Sequence, residues 1–175
     1  MKNTTRKLAI SAAVGAAYAV ATMLTAPISY GPLQLRISEV LNVFPFFLPF
    51  TSWGLFVGCM IANLISSGGL LDIVFGSLAT MLAALCMAVI GRSGDRTSWL
   101  RCIFACAMPV LWNGITVGAV LALSTSTSIL LFGAMFAVCS LEVAAGEAVV
   151  MFCLALPLMR YLPKNRAFAA LMDED

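Results

Sequence analysis

Histidine is absent, and charge is scarce: Lys, Arg, Asp and Glu together make up 10% of the 175 residues. Without an imidazole there is no nucleophile–histidine pair and no HExxH zinc motif. There is also no GxSxG elbow and no Walker A sequence. The chain therefore carries no P-loop ATPase of its own, and nothing in it points to an enzyme. The six cysteines, Cys59, Cys86, Cys102, Cys106, Cys139 and Cys153, form no CxxC pair and lie inside apolar runs. Cys102 and Cys106 would share a helix face, but a metal site there needs two further ligands. All six read as small buried hydrophobes, and no metal or cofactor is expected. No internal repeat is visible, which counts against a two-fold secondary transporter.

What is present is hydrocarbon. Hydrophobic residues make up 62% of the chain and the mean hydropathy is +1.02. A soluble domain would need far more charge to cover its surface, typically about 25%. The composition implies an all-α integral membrane protein, with residues 1–175 forming one transmembrane domain and no cleavable signal peptide. A spanning helix takes roughly 20 apolar residues. Six are read: about Leu8–Ala26, Ile37–Phe50 (short, with Pro45 and Pro49), Trp53–Ile65 (also short), Leu70–Ile90, Leu100–Leu123 and Ile129–Leu162. The last is too long for one straight span, so its ends are expected to be loop or interfacial. Merging the second and third gives five, but Pro49-Phe50-Thr51-Ser52 reads as a turn.

With six spans, nine of the ten basic residues fall on one side and Arg36 on the other. By the positive-inside rule both termini are cytoplasmic, and the loops around 27–38, 66–70 and 124–128 face outward. The serine–threonine run Ser124–Ser128 reads as a flexible outer loop or as a lid. The Asp173-Glu174-Asp175 tail reads as a solvated end.

Polar groups are concentrated in Gly31-Pro-Leu-Gln-Leu-Arg-Ile-Ser-Glu39-Val-Leu-Asn42. Polar side chains beside a bilayer are costly and tend to mark where something is bound or moved. Leu33, Leu35 and Ile37 alternate with Gln34, Arg36 and Ser38, as in an extended segment with one apolar and one polar face, suited to capping the helix ends. Glu39 then opens the second helix, where its dipole favours a carboxylate; the alternative is that Arg36 and Glu39 simply pair with each other. Glu142 and Glu147 lie deep in the sixth helix, where a carboxyl costs about 2.5–3.5 kcal/mol, so each should face a cavity or a partner. They are about 140° apart on a helical wheel. Gly146 permits close approach of a ligand or a neighbour. Trp112-Asn113 offers a flat apolar face beside an amide, and Asn63 and Asp72 flank the third-to-fourth connection. On the first helix Ala9, Ala13, Ala17 and Ala21 form a small-residue stripe, suited to packing within the protein or to docking a separate subunit.

The block Gly31–Glu39 resembles the queuosine-precursor transporter (QueT) family. So do Leu55–Asn63, Leu71–Thr80, Pro109–Gly114 and Gly146-Glu147, a likeness running from roughly Ala16 to Leu158. These are S components, the solute-binding subunits of energy-coupling factor transporters in the bacterial cell membrane. The resemblance implies six helices, an outward-facing site and docking through the first helix, at Ala9, Ala13 and Ala17. The partners would be a transmembrane T subunit and two ATPase subunits, with no nucleic acid. It implies a 7-deazaguanine solute such as the aminomethyl precursor of queuosine, or queuine. Glu142 and Glu147 would be the carboxylates, Asn113 the amide and Trp112 the stacking face. Gln34, Arg36 and Glu39 would come from the capping loop. Two alternatives remain open: an S component for another vitamin such as riboflavin or biotin, and a stand-alone proton-coupled carrier using Glu142 or Glu147.

Overall fold

The computed structural model describes residues 2–31, 33–66, 69–126 and 128–172, and among these there is no strand. Helix α1 is Lys2–Leu24. Helix α2, Ile37–Phe47, starts as a 3-10 turn over Ile37–Asn42 and ends as α-helix over Val43–Phe47. A 3-10 turn at Pro49–Thr51 leads into α3, Ser52–Asn63, so the expected turn at this proline is present. Helix α4 is Gly69–Arg92 and includes a π turn at Asp72–Gly76. Helix α5 is Trp99–Thr125. Helix α6, Ile129–Val150, runs on through a π turn at Met151–Ala155 into α7, Leu156–Tyr161. Pro157 cannot donate back to the fourth residue before it, and the widened turn lies just ahead of it. A last helix, α8, is Arg166–Met172.

Among the described residues four stretches are long and apolar enough to cross a bilayer: Thr4–Leu24, Gly69–Arg92, Trp99–Thr125 and Leu131–Lys164. The other two expected spans are shorter. The 12 residues of α3 reach about 18 Å at 1.5 Å per residue, against about 30 Å of hydrocarbon. The all-helical, multi-pass reading stands, with four helices of spanning length. The sixth expected segment needs a correction: it stays helical to Tyr161, with a π turn in place of loop in its second half. The serine–threonine run is corrected too. Ser124 and Thr125 belong to α5, and Ser128 caps α6 by accepting from the Leu131 amide at 3.4 Å. Thr127 and the Asp173–Asp175 tail lie outside the described residues.

The helices are drawn together where side chains are smallest. A Cβ on Gly15, Gly54 or Gly58 would collide with the backbone of the facing helix, so α1 and α3 cross in near backbone contact. Ser11 fastens the crossing: its Oγ accepts from Gly54 N at 3.0 Å and donates to the Phe50 carbonyl at 3.1 Å.

The two ends of the bundle differ in charge. At one end lie the Phe46–Thr51 turn and Gly91, against which the Phe46 carbonyl packs. Lys7 stands 5.5 Å over the Phe50 ring there, Arg96 and Arg101 bond to the carbonyls of Gly91 and Ile90, and Arg160 lies on Trp99. Helix α8 seals this end with Phe168, edge-on to Phe44 and Phe47. Both terminal helices therefore meet at the basic end. Arg36 lies at the opposite end, next to Asp72. Of the cysteines, Cys59, Cys102, Cys106 and Cys139 are buried, Cys86 is half-buried and Cys153 is exposed on the apolar surface, a correction for the last.

Candidate functional site

Every main segment from α1 to α6 contributes to one buried polar cluster. Residues 33–38 do alternate, but with the polar side inward: Gln34, Arg36 and Ser38 are buried, whereas Leu33 is exposed and Leu35 and Ile37 are half-covered. In an apolar surrounding the polar face is the one that must find partners. Gln34 takes a φ of +43°, and the backbone there turns inward; for a residue with a Cβ this left-handed geometry costs roughly 1 kcal/mol. Gly146 makes the inward path possible. The Leu33 carbonyl lies where a Cβ of residue 146 would be, so the close neighbour expected at this glycine is the loop itself.

Glu39 is fully buried. One carboxyl oxygen accepts from the Tyr18 hydroxyl of α1 and, at 3.3 Å, from Thr80 of α4; the other accepts from Asn42. The expected opening of the second helix by Glu39 is modified: it is the third residue of a 3-10 turn, and its carboxyl is held by side chains, not by the helix end. Arg36 does not take Glu39 as its ion-pair partner. It pairs with Asp72 of α4 at 3.4 Å, and Asp72 also accepts from Ser66. The guanidinium lies 5.6 Å from the Tyr30 ring centroid, and the Tyr30 hydroxyl donates to the Ala62 carbonyl at 2.6 Å. Asn63 donates to the Asp72 carbonyl at 3.0 Å. A loop residue is thereby tied to the ends of both α3 and α4.

From the other side, Asn113 of α5 donates to Glu147 of α6 at 2.9 Å, and both are buried. The same amide faces the Glu39 carboxyl, and Glu39 and Glu147 are near enough to feel each other's charge. Several buried atoms of this cluster have no hydrogen-bond partner among the described residues: Glu147 Oε2, Asn113 Oδ1, Asn42 Oδ1, Asn63 Oδ1, Asp72 Oδ1 and Arg36 Nε. The first five are acceptors (the two carboxyls when ionised) and the last is a donor.

Of the expected site residues, Gln34, Arg36, Glu39, Asn113 and Glu147 are all buried at this end of the bundle. Trp112 and Glu142 are not in the cluster. One residue is 100° of helix, so with Asn113 turned inward Trp112 points at α4, where its Nε1 meets Cys86 Sγ at 3.4 Å. Glu142 is half-exposed beside Cys139. Tyr18, Asn42, Cys59 and Thr80 are members that residue-type reasoning did not assign. Ser11, Tyr18 and Thr22 recur on the inner face of α1, opposite Ala9, Ala13 and Ala17, which are exposed. That polar line was the available signal. Cys59 lies 3.3 Å from the Thr80 hydroxyl and 3.6 Å from that of Tyr18.

A multi-pass helical protein that buries an ion pair, two more carboxyls and their amide partners among apolar helices has the make-up of a membrane carrier of small polar solutes. The chain belongs to the QueT transporter family, which it matches over residues 8–164. The queuosine precursor transporter QueT of Lactococcus lactis subsp. cremoris (strain MG1363) is 39% identical over 90 residues, which cover 46% of this chain and 53% of that protein. The match thus spans about half of that curated relative. No solved structure matches the chain.

Proposed function

We propose that this chain is the solute-binding S component of an energy-coupling factor transporter, and that it takes up a queuosine precursor of the 7-deazaguanine type. The observation that supports the reading is the set of unpartnered buried atoms in the cluster among the described residues: acceptors on Glu147, Asn113, Asn42, Asn63 and Asp72 against one N–H donor, on Arg36. A guanine-like edge presents neighbouring N–H donors to a carboxylate, and its carbonyl needs one donor in return. An aminomethyl arm adds an ammonium. With Arg36 taken by Asp72, the Glu39–Glu147 pair is suited to a cation. Glu147, Asn113, Glu39 and Asn42 are assigned to the solute. Arg36 and Gln34 are assigned to the inward-folded loop that covers it. Trp112 and Glu142 are left out.

The bacterial cell membrane is the proposed location, with the basic end and both termini inside. The outer face of α1 at Ala9, Ala13 and Ala17 is the proposed contact for the T subunit, whose two ATPase partners supply the energy. Exposure of that face supports this reading, since the inner packing of α1 uses Ser11, Gly15 and Tyr18 instead.

The test is equilibrium binding to the purified chain in detergent without ATP, using the aminomethyl deazaguanine, queuine, guanine and riboflavin. Saturable binding of a deazaguanine is expected. Failure of folded protein to bind any deazaguanine removes the solute assignment. A second reading, a proton-driven carrier, draws on the Glu39–Glu147 pair. It requires uptake into vesicles holding this chain alone, driven by a pH gradient.

A further inference from the structure

The basic end carries a second built feature, independent of the solute site. Arg160 of α7 is held in a fixed orientation by two groups from the α4–α5 connection and the start of α5. Its guanidinium lies 4.6 Å from the Trp99 ring centroid, and Nη1 donates to the Thr97 carbonyl. A guanidinium has five N–H donors, so among the described residues most of the fork is unused. Asp95, which lies close enough to feel its charge, is itself occupied by the Thr97 amide and hydroxyl. Lys164 follows four residues later and has no hydrogen-bond or ion-pair partner among the described residues. Beside Arg160 opens a groove of about 440 Å³ walled by Trp99, Phe152, Leu156, Pro157 and Tyr161. Trp99 and Tyr161 are 54% and 67% exposed, the signature of an aromatic belt at the level of the headgroups.

We propose that this corner binds one anionic phospholipid. The phosphate sits between Arg160 and Lys164, and an acyl chain follows the apolar wall of Phe152 and Leu156 toward the middle of the bilayer. Charge complementarity commits the groove to an anion. The apolar wall beneath the two cations commits it to a lipid over a free phosphate. A planar, pre-oriented Arg suits phosphate better than a mobile ammonium, because it offers paired donors in one plane.

Native mass spectrometry of the full chain in detergent, titrated with phosphatidylglycerol and with phosphatidylcholine, tests this. The wild type is expected to retain one phosphatidylglycerol at concentrations where phosphatidylcholine is lost. Arg160→Gln should weaken retention about tenfold or more, as for loss of charge-assisted hydrogen bonds. Lys164→Gln, which breaks no hydrogen bond or ion pair among the described residues, should also weaken it. Arg160→Lys should fall between wild type and Arg160→Gln. Arg92→Gln removes the same charge from the same end and should leave retention unchanged. Equal weakening by Arg92→Gln, equal retention of phosphatidylcholine, or full competition by inorganic phosphate overturns the proposal.

Discussion

Asn113 holds one oxygen of Glu147, while the other oxygen has no hydrogen-bond partner among the described residues. This asymmetry makes Glu147 the most informative residue to change. Glu147→Gln keeps shape and the Asn113 contact but removes the charge. Binding of a cationic deazaguanine, read by titration calorimetry, should weaken by roughly 10- to 100-fold, the range for a lost charged hydrogen bond. Glu142→Gln, half-exposed and outside the cluster, should bind as wild type. Equal effects of the two would break the assignment. Tyr18→Phe deletes a donor to a fully buried carboxylate. It should lower stability in detergent by about 1–3 kcal/mol, seen as a lower melting temperature without added solute. At this scale the sequence was legible in part. Glu147, Asn113 and Glu39 stand out because polar groups in apolar runs are costly, yet their mates do not. Tyr18 and Thr80 are ordinary in type, and only the packing of α1 and α4 against α2 makes them partners of Glu39.

Among the elements, the period-two pattern of residues 33–38 was readable, as was its extended form. Its orientation was not, because the choice of face depends on the glycine across from it. Gly146→Val should force the Leu33 carbonyl outward and weaken solute binding at least about tenfold, whereas Gly133→Val, with open space around it, should not. Both can be measured in the same binding assay. The short second and third segments were also visible from Pro45 and Pro49. The continuity of α6 into α7 was not, since a π turn leaves no compositional mark. Glu142 and Glu147 show the same limit. Their spacing of about 140° said that they need not share a face, and the fold puts one inside and one at the surface.

For the molecule as a whole, the distribution of basic residues held the most information. It separates a basic end, where both terminal helices meet, from the end that carries Arg36 and the polar cluster. Single-cysteine variants near the two termini should be labelled by a membrane-impermeant maleimide only in broken or inverted vesicles. A cysteine at Leu33, which is exposed, should be labelled in intact cells. Labelling of both sets from the same side would overturn the proposed orientation. Binding should also stabilise the fold cooperatively, because the cluster takes a side chain from each of α1 to α6. A solute at about 100 times its Kd adds close to 2.7 kcal/mol, which thermal unfolding would register as one shifted transition.

Helix α1 carries a side chain of the buried cluster on one face and the exposed alanines on the other. Tyr18 is bonded to Glu39 on the inside, and its immediate neighbour Ala17 is exposed on the outside along with Ala13 and Ala9. Consecutive residues on a stiff rod cannot be displaced separately. Any rotation or sliding of α1 that seats or releases Tyr18 moves the alanine face by a comparable amount. A subunit resting on those alanines, as proposed for the T subunit, would then register a filled or an empty interior without touching it.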